Sequence, residues 1–486
     1  MDELHIYNSL TREKDRFKPN KEGFVGIYVC GPTVYGDPHL GHAKSYVSFD
    51  VVVRYLRYLG YKVRYVQNIT DVGHLTDDAD QGEDKLEKQA QIEKLEPMEI
   101  AEKYTYNYFR DMDKLGVQRP DISPRATGHI PEQIEMVKKL LEEGHAYEVD
   151  GNVYFDVSSD EEYGKLSGRD VEDQEAGTRI ETAGDKRDPK DFALWKKAGD
   201  DHIMKWNSPW GWGYPGWHLE CSVMSTKYLG QNFDIHGGGL DNIFPHHECE
   251  IAQSECAYNE SFANYWMHNN MVTLNGQKMG KSLGNAISLD EFFRGDHELL
   301  TRAWAPQVIR FFLLQSHYRS TTDFTEDALN AAEQGLDNLQ NIIRLIEDTE
   351  PGDADPFDIE ALDSELKQRM NDDFNTAQAI AVLFENLKAL RKQINQDEVP
   401  SNLDDVKSLL ERFVDGVLGI WPEAEEDTAG DDKTEDLVEL LIDLRTEARK
   451  EKNFEKADKI RDELKEIGIE LMDNPDGTTF EIKRNS

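Results

Sequence analysis

Three features of the sequence predict an α/β chain: a parallel-sheet catalytic domain with an inserted subdomain, then an α-helical bundle, then a small carboxyl-terminal α+β domain. The stretch Phe24 to Cys30 is a short apolar run of the kind that parallel sheets bury on both faces. It is followed by AKSYVSFDVVVRYLRYLG, in which Val47, Val51, Tyr55 and Tyr58 recur at helix spacing before Gly60, and then by a second strand, YKVRYVQNITD. Strand, helix and strand form a βαβ unit, so the sheet is of the parallel, Rossmann-like type. From Thr325 the pattern changes to long amphipathic helices.

The turn between the first strand and its helix carries chemistry. Cys30 stands at the carboxyl end of the strand, where open α/β sheets hold ligands. The helix opens at His39-Leu40-Gly41-His42, so its free N–H groups and dipole favour a phosphate. Two imidazoles can donate to phosphate oxygens, and Gly41 lets a flat ring approach the backbone.

A polar, acid-rich segment runs from Gly73 to about Glu96, followed by helices to about Leu115. Residues 120–212 read as an insertion, with the helix PEQIEMVKKLLEEG, the hairpin-like AYEVDGNVYFDV and a polar stretch from Ser158 to Lys190. FDIHGGG is a further strand, and IFPHHECEIAQSECA opens a helix after Pro245. The strand before MVTLNGQKMGKSLGN closes the catalytic domain, 1–324. In the bundle, 325–425, Leu329, Ala332, Leu336, Leu339, Ile343 and Ile346 share one helical face, as do Ile380, Leu383, Leu387 and Leu390. The last domain, 433–486, is two helices and a short β element.

The chain has 486 residues and a net charge of −41, with acids spread along its whole length. That fits a protein kept hydrated in a very salty cytosol, where salt screens self-repulsion. No apolar run approaches the ~20 residues needed to cross a membrane, and the amino terminus lacks a signal peptide's basic and apolar regions. A cytoplasmic protein, monomeric and without a membrane partner, is expected. Cys30, Cys221, Cys249 and Cys256 form no disulfide framework, and each is a buried apolar residue, a ligand or a nucleophile.

Two constellations stand out. His246 and Glu250, four apart in a helix, present two donors on one face, and Cys30 and Cys221 each sit beside glycines at an expected strand or loop end. Two Cys, one His and one carboxylate suit Zn²⁺, although spacing alone leaves His247, Glu248 and Cys249 as alternatives. There is no HExxH. Lys278 and Lys281, in KMGKS, place two cations in a glycine-containing loop able to close on a polyphosphate. There is no GxxxxGK[ST], so the loop is not a P-loop.

HLGH after the first strand and KMGKS late in the same domain resemble the class I aminoacyl-tRNA synthetases. CGPTVYGDPHLGHA, NITD, PGWHLECS, FDIHGGGLDNIFPHHECEIAQ, YWMHNNMV, DDFNTAQAIAVLF and FEKADKIRDELKEIGI, in that order along nearly the whole chain, narrow the resemblance to the cysteinyl branch. The resemblance implies one Zn²⁺ held by Cys30, Cys221, His246 and Glu250, which selects the thiolate of cysteine. It implies ATP with Mg²⁺ at His39, Gly41, His42, Lys278 and Lys281, and a cysteine pocket at Thr70, Trp217 and Asp241. The reaction implied is formation of cysteinyl-adenylate, then transfer to the terminal ribose hydroxyl (2′ in this class) of tRNA(Cys).

Two departures stand in the sequence: Gly280 replaces the first serine of the usual KMSKS, and the stretch after NITD contains His74, read as a loop histidine. Between Leu441 and Lys465 the local charge is +1, so Arg445, Arg449, Lys450, Lys452, Lys456 and Lys459 are candidate contacts to the anticodon arm. A helix laced with i,i+4 ion pairs fits that segment as well. The rival readings are a cysteine-activating ligase that acts on a small amine and a non-catalytic RNA-binding paralogue. The carboxyl-terminal region argues against the first, and the intact motifs against the second.

Overall fold

The computed structural model describes residues 3–72, 85–169, 185–200, 202–279 and 285–422, with much of 438–482. The chain divides into two compact units, Met1–Trp421 and Pro422–Ser486. Among the described residues, no helix is long and apolar enough to cross a membrane.

The first unit opens with an antiparallel hairpin, β1 (His5–Asn8) and β2 (Glu13–Arg16). The βαβ unit follows as β3 (Phe24–Val29), α1 (Leu40–Tyr58) and β4 (Lys62–Gln67), with the strands parallel. Val47, Val51 and Tyr55 are buried, so the apolar spacing of α1 finds the sheet as expected. The chain then leaves the sheet through α2 (Lys85–Glu93), α3 (Pro97–Lys114) and α4 (Ile130–Glu143). It builds β5 (Ala146–Val149), β6 (Asn152–Phe155), β7 (Phe192–Lys197), β8 (Trp206–Ser208) and β9 (Gly211–Pro215), paired antiparallel in the order β5-β6-β7-β9-β8. This separate sheet is the inserted subdomain.

Helix α5 (Trp217–Leu229) brings the chain back to β10 (Phe233–Gly239), then α6 (Glu248–Tyr258) and β11 (Ala263–Asn269). The central sheet has the order β11-β10-β3-β4, and every pairing in it is parallel. Strand β3 therefore sends its connection to one side while β10 joins it on the other. Such a reversal of direction opens a crevice beyond the carboxyl ends of the strands, where α/β sheets bind ligands. Glycines allow close packing there: a Cβ on Gly237 would lie 2.3 Å from Phe49 Cε1 of α1.

Beyond the sheet, β12 (Val272–Leu274), β13 (Gln277–Lys278), α7 (Leu289–Arg294), α8 (Pro306–Leu314) and β14 (Thr322–Phe324) form a small layer in which the strand order is β13-β12-β14. The bundle follows as α9 (Glu326–Asp348), α10 (Ile359–Met370), α11 (Thr376–Ile394) and α12 (Leu403–Leu410), which continues into a π-helical segment, Glu411–Leu418. The six apolar positions expected on the face of α9 are all buried, as are the four on α11. One apolar core runs from Leu4 through α1 to Ile420, so the expected boundary at 324/325 marks a change of secondary structure within one unit.

Two buried charged groups tie these layers together. Arg310 of α8 is buried, with Nη2 donating to Asp50 of α1 at 2.5 Å, Nε to the Leu418 carbonyl and Nη1 to the Leu115 carbonyl. Without it Asp50 would keep Arg54 at 2.8 Å, but the Leu418 and Leu115 carbonyls would lose their buried donor, at about 1–3 kcal/mol each, and a cavity would open. Arg310→Ala is expected to destabilise the chain by about 3–5 kcal/mol, read from denaturant unfolding of the two proteins.

Lys44 of α1 is the second. Its ammonium donates to Thr322 Oγ1 at 2.8 Å, Ser316 Oγ at 3.1 Å and the His317 carbonyl at 3.4 Å. Burial pushes its pKa down to about 8. Above that pH the folded chain has released a proton that the unfolded chain retains up to its ordinary value, so stability rises with pH in this window. Relative to Lys44→Met, the wild-type unfolding free energy is expected to climb by about 2 kcal/mol between pH 7.5 and 9.5. A difference flat with pH would refute the assignment.

The second unit contains helical residues among 438–449, then α13 (Phe454–Glu466) and the antiparallel hairpin β15 (Ile469–Asn474) with β16 (Gly477–Ile482). Its small core includes Val438, Leu464 and Ile469. One expectation fails here. Arg445 is buried at 3 % exposure, because its helical position turns it inward, and it is not a surface cation. Arg449, Lys456 and Lys459 are exposed, and Lys459 pairs with Glu463 four residues on at 3.6 Å, the intrahelical pattern of the alternative reading. Lys450 and Lys452 lie outside the described residues, as do His74, Gly280 and Lys281.

Candidate active site

The crevice at the switch point is a cavity of about 580 Å³. Its lining includes Cys30, His39, Gly41, His42, Thr70, Trp217, Cys221, Asp241, His246 and Lys278. Every site residue expected from the sequence that is both described and in the first unit either lines it or, as Glu250, touches a residue that does.

At one wall, α1 begins with a reciprocal cap. His39 is the N-cap, and its Nδ1 accepts the Gly41 N–H at 3.1 Å; His42 Nδ1 accepts the His39 N–H at 3.1 Å. The arrangement copies a capping box, with imidazoles in place of the usual hydroxyl and carboxylate. An Nδ1 that accepts carries no proton, so each neutral ring bears its proton on Nε2 and can donate from that side. Gly41 makes the cap possible, because a Cβ there would lie 2.9 Å from His39 Cε1.

At the floor, Cys30 follows β3 and donates its N–H to the Gly237 carbonyl of β10 at 3.0 Å. Cys221, expected at a strand or loop end, instead sits inside α5 one turn after Trp217; Gly216 N-caps that helix, and the sequence pattern hid the cap. A kinked turn, Ile243–His247, in which Phe244 has extended backbone (φ −139°, ψ 132°), precedes α6 and delivers both His246 and His247 to buried positions. Cys30 Sγ lies 3.8 Å from Cys221 Sγ and 3.6 Å from Glu250 Oε1, and His246 Nε2 lies 3.1 Å from Glu250 Oε1. Tetrahedral zinc, with bonds of about 2.0–2.3 Å, separates its ligand atoms by about 3.3–3.8 Å. The two Cys30 distances fall in that range and the His246–Glu250 distance lies just below it, and all four donor atoms lie within 4.8 Å of one another.

A second set, Cys30, His236, His247 and Glu250, is also close enough to hold a metal. Its His247 Nε2 is 4.0 Å from Glu250 Oε1, and neither of its histidines lines the cavity. Both of its histidines also touch donors of the first set, His247 Nε2 lying 3.2 Å from Cys30 Sγ. His236 Nε2 is 2.8 Å from Glu250 Oε2, and His218 Nδ1 is 2.9 Å from His246 Nδ1. His247 Nδ1 meets His268 Nε2 at 2.8 Å, and His268 Nδ1 meets Ser9 Oγ at 2.7 Å. Outer partners of this kind orient metal ligands. Burial lowers the pKa of His236 and His268 to about 3 and that of His247 well below its usual value, so all three are neutral. Burial also raises the pKa values of Cys30, Cys221 and Glu250. A divalent cation is the natural partner that restores their charge. None of His218, His236 and His268 had a role in the sequence reading, because a single histidine on a strand or helix carries no periodic signal.

Trp217 stacks on His246 with ring centroids 4.4 Å apart. Thr70 is buried and donates from Oγ1 to Glu220 Oε2 at 2.9 Å, while Asn68 Nδ2 donates to Thr70 Oγ1 at 3.1 Å. At the rim, Lys278 and Asp241 pair at 3.2 Å with both side chains more than half exposed. Cys249 is buried against the Tyr163 hydroxyl and Cys256 is half-buried, both away from the cavity lining.

Residues 16–334, which hold the parallel sheet, its switch-point cavity and the histidine-capped helix, match the family of tRNA synthetases class I (C) catalytic domain, and residues 365–421 match the DALR domain. Among solved structures, Mycobacterium tuberculosis methionyl-tRNA synthetase in complex with methionyl-adenylate shares the fold, with a TM-score of 0.55 at 15 % identity, covering 82 % of this chain and 88 % of that one. The Agrobacterium radiobacter LeuRS–tRNA–LeuAMS complex gives a TM-score of 0.58 at 12 % identity, covering 83 % and 85 %. The protein is thus a class I aminoacyl-tRNA synthetase.

Curated relatives set the branch. The cysteine–tRNA ligase of Chlorobaculum tepidum is 55 % identical over 100 % of both chains, and that of Bacteroides fragilis is 50 % identical over 99 % of both. That of Deinococcus radiodurans is 48 % identical over 98 % of this chain and 96 % of its own. The chain belongs to the cysteine–tRNA ligase family.

Proposed function

We propose that the chain activates L-cysteine with Mg²⁺·ATP and passes it to the 3′ end of tRNA(Cys), choosing the amino acid with a zinc ion held by Cys30, Cys221, His246 and Glu250. The observation that carries this reading is the meeting of that donor set and the His39–His42 cap on one cavity. Cysteine differs from serine by one atom, and shape alone discriminates such a pair poorly. Zinc, when bound, offers a soft position that prefers a thiolate to a hydroxyl.

The chain's own residues do the rest. Trp217, stacked on His246, closes one side of the amino-acid pocket, and Thr70, held by Asn68, lines another. Asp241 at the rim offers a carboxylate to the substrate ammonium. His39 and His42 donate from Nε2 toward the ATP phosphates, and Gly41 leaves room for a ring beside the helix start. The cysteine carboxylate attacks the α-phosphorus, and the bond to pyrophosphate breaks. Lys278 and Lys281 offset the charge that develops on pyrophosphate, Lys278 exchanging Asp241 for the substrate. The ribose hydroxyl of the tRNA then displaces AMP from the aminoacyl carbonyl. Positioning and preorganised charge supply the rate, with no covalent enzyme intermediate.

Cysteine-dependent ATP–pyrophosphate exchange and transfer of labelled cysteine to tRNA, run at several salt concentrations beside a metal analysis, test the reading. Both activities and about one zinc per chain are expected. Exchange without transfer would overturn the tRNA assignment and favour a small amine acceptor, and absence of exchange would overturn the enzyme reading for this cavity.

A further inference from the structure

A second cavity, of about 460 Å³, lies within the first unit between the carboxyl-terminal end of α1, helix α10 and the π-helical segment Glu411–Leu418. Arg57 lies fifteen residues after His42 on α1, about 22 Å along the helix axis, so this cavity is remote from the site above. Its lining holds Arg54, Arg57, Lys367 and Arg412 but only one acid, Asp363, in a chain of net charge −41.

The four cations are not equivalent. Arg54 is committed to the fold, donating to Asp50 at 2.8 Å and to the Gly116 and Asp415 carbonyls at 2.8 and 3.1 Å. The other three face the cavity. Lys367 pairs with Asp363 at 2.6 Å, and the Tyr58 hydroxyl donates to the same carboxylate at 2.5 Å, so the one acid is matched by the ammonium and the positive excess rests on Arg57 and Arg412. Arg57 donates to Gln118 at 2.5 Å and holds Asp121 only loosely, at 3.5 Å. Arg412 is exposed; its Nε reaches the Ser408 carbonyl at 3.3 Å, and its terminal nitrogens have no partner among the described residues. Two guanidiniums and an ammonium converging from three elements form a cradle for a tetrahedral oxyanion, since planar N–H forks match phosphate oxygens in pairs.

We propose that this cavity is a phosphate-binding site in which Arg57, Lys367 and Arg412 hold either a backbone phosphate of the bound RNA or free inorganic phosphate. The RNA source rests on the tRNA reading given above; the free-phosphate source does not. The site would give a strongly acidic protein a local positive face on which an RNA backbone could settle, because phosphate contacts dominate such affinities.

The test uses the full chain and the variants Arg412→Gln, Arg57→Gln and their double. Each is assayed for ATP–pyrophosphate exchange, for tRNA binding against salt, and for binding of labelled orthophosphate with the active site filled by a non-hydrolysable cysteinyl-adenylate analogue. Arg412→Gln alone decides the matter if the double variant folds poorly, since among the described residues Arg412 makes one bond, within its own helix. If the RNA backbone is the ligand, tRNA affinity falls about tenfold in the double variant. The slope of log affinity against log salt then shrinks by about 1 per lost contact, and exchange is unchanged. If free phosphate is the ligand, orthophosphate binding is lost while tRNA affinity holds. Wild-type affinity for both probes in every variant would overturn the proposal. Absent exchange in the wild type would refute the functional reading and leave the orthophosphate measurement as the test of the site.

Discussion

Cys221→Ser is expected to lower bound zinc from about one per chain to near zero and to raise the cysteine KM in ATP–pyrophosphate exchange by at least about 10²-fold. The side chain is buried and lies 3.8 Å from Cys30 Sγ, so the serine hydroxyl would stand where a soft donor is needed. A hydroxyl is a much poorer zinc ligand than a thiolate. An interaction of a metal with a substrate group is worth several kcal/mol, and each 1.36 kcal/mol is tenfold. Selectivity for cysteine over serine should fall with it. Two histidines separate the overlapping donor sets: His246→Ala should lose zinc as Cys221→Ser does, whereas His247→Ala should retain it. Stoichiometric zinc in Cys221→Ser would refute the ligand assignment.

His42→Ala should lower kcat for exchange by about 10²–10³-fold, the usual loss when one preorganised donor to developing charge is removed. Zinc content and the cysteine KM should stay near wild type, because Cys30, Cys221, His246 and Trp217 are untouched. The alanine also deletes the bond from His39 N–H to His42 Nδ1, so the start of α1 loses half of its cap. His42→Gln separates the two effects. Glutamine at this third helical position can accept the same N–H and still presents a donor. Recovered thermal stability with little recovery of rate would assign the rate to the imidazole. Near-wild-type kcat in His42→Ala would sink the assignment.

Much of the fold was legible because it rests on periodicity. The apolar run Phe24 to Cys30, the 3.6-residue spacing of Val47, Val51 and Tyr55, and the single faces of α9 and α11 each have one way to bury themselves. Helix starts without a side-chain cap were harder to read. Gly216 starts α5 through backbone geometry, so Cys221 was expected outside a helix. Arg445 looked like one cation in a basic series, and only the helical phase around it turns it inward. The boundary at 324/325 was read from a change of pattern, although the core runs across it.

The candidate site divides the same way. HLGH, KMGKS and the order of the flanking motifs placed the chain in its family, and they named the four donors that the fold brings within reach of one another. The outer arrangement was decided in three dimensions: His236 on Glu250, His218 on His246, Arg310 on Asp50 and Lys44 against Thr322. By itself the sequence determined the elements, their faces and the residue types at the crevice, because local backbone preference and apolar spacing are properties of neighbours along the chain. The tertiary structure alone decided which donors share a ligand position, which charges are buried and where a second cationic cavity opens. Those depend on distances between residues far apart in sequence, which packing sets and periodicity does not carry.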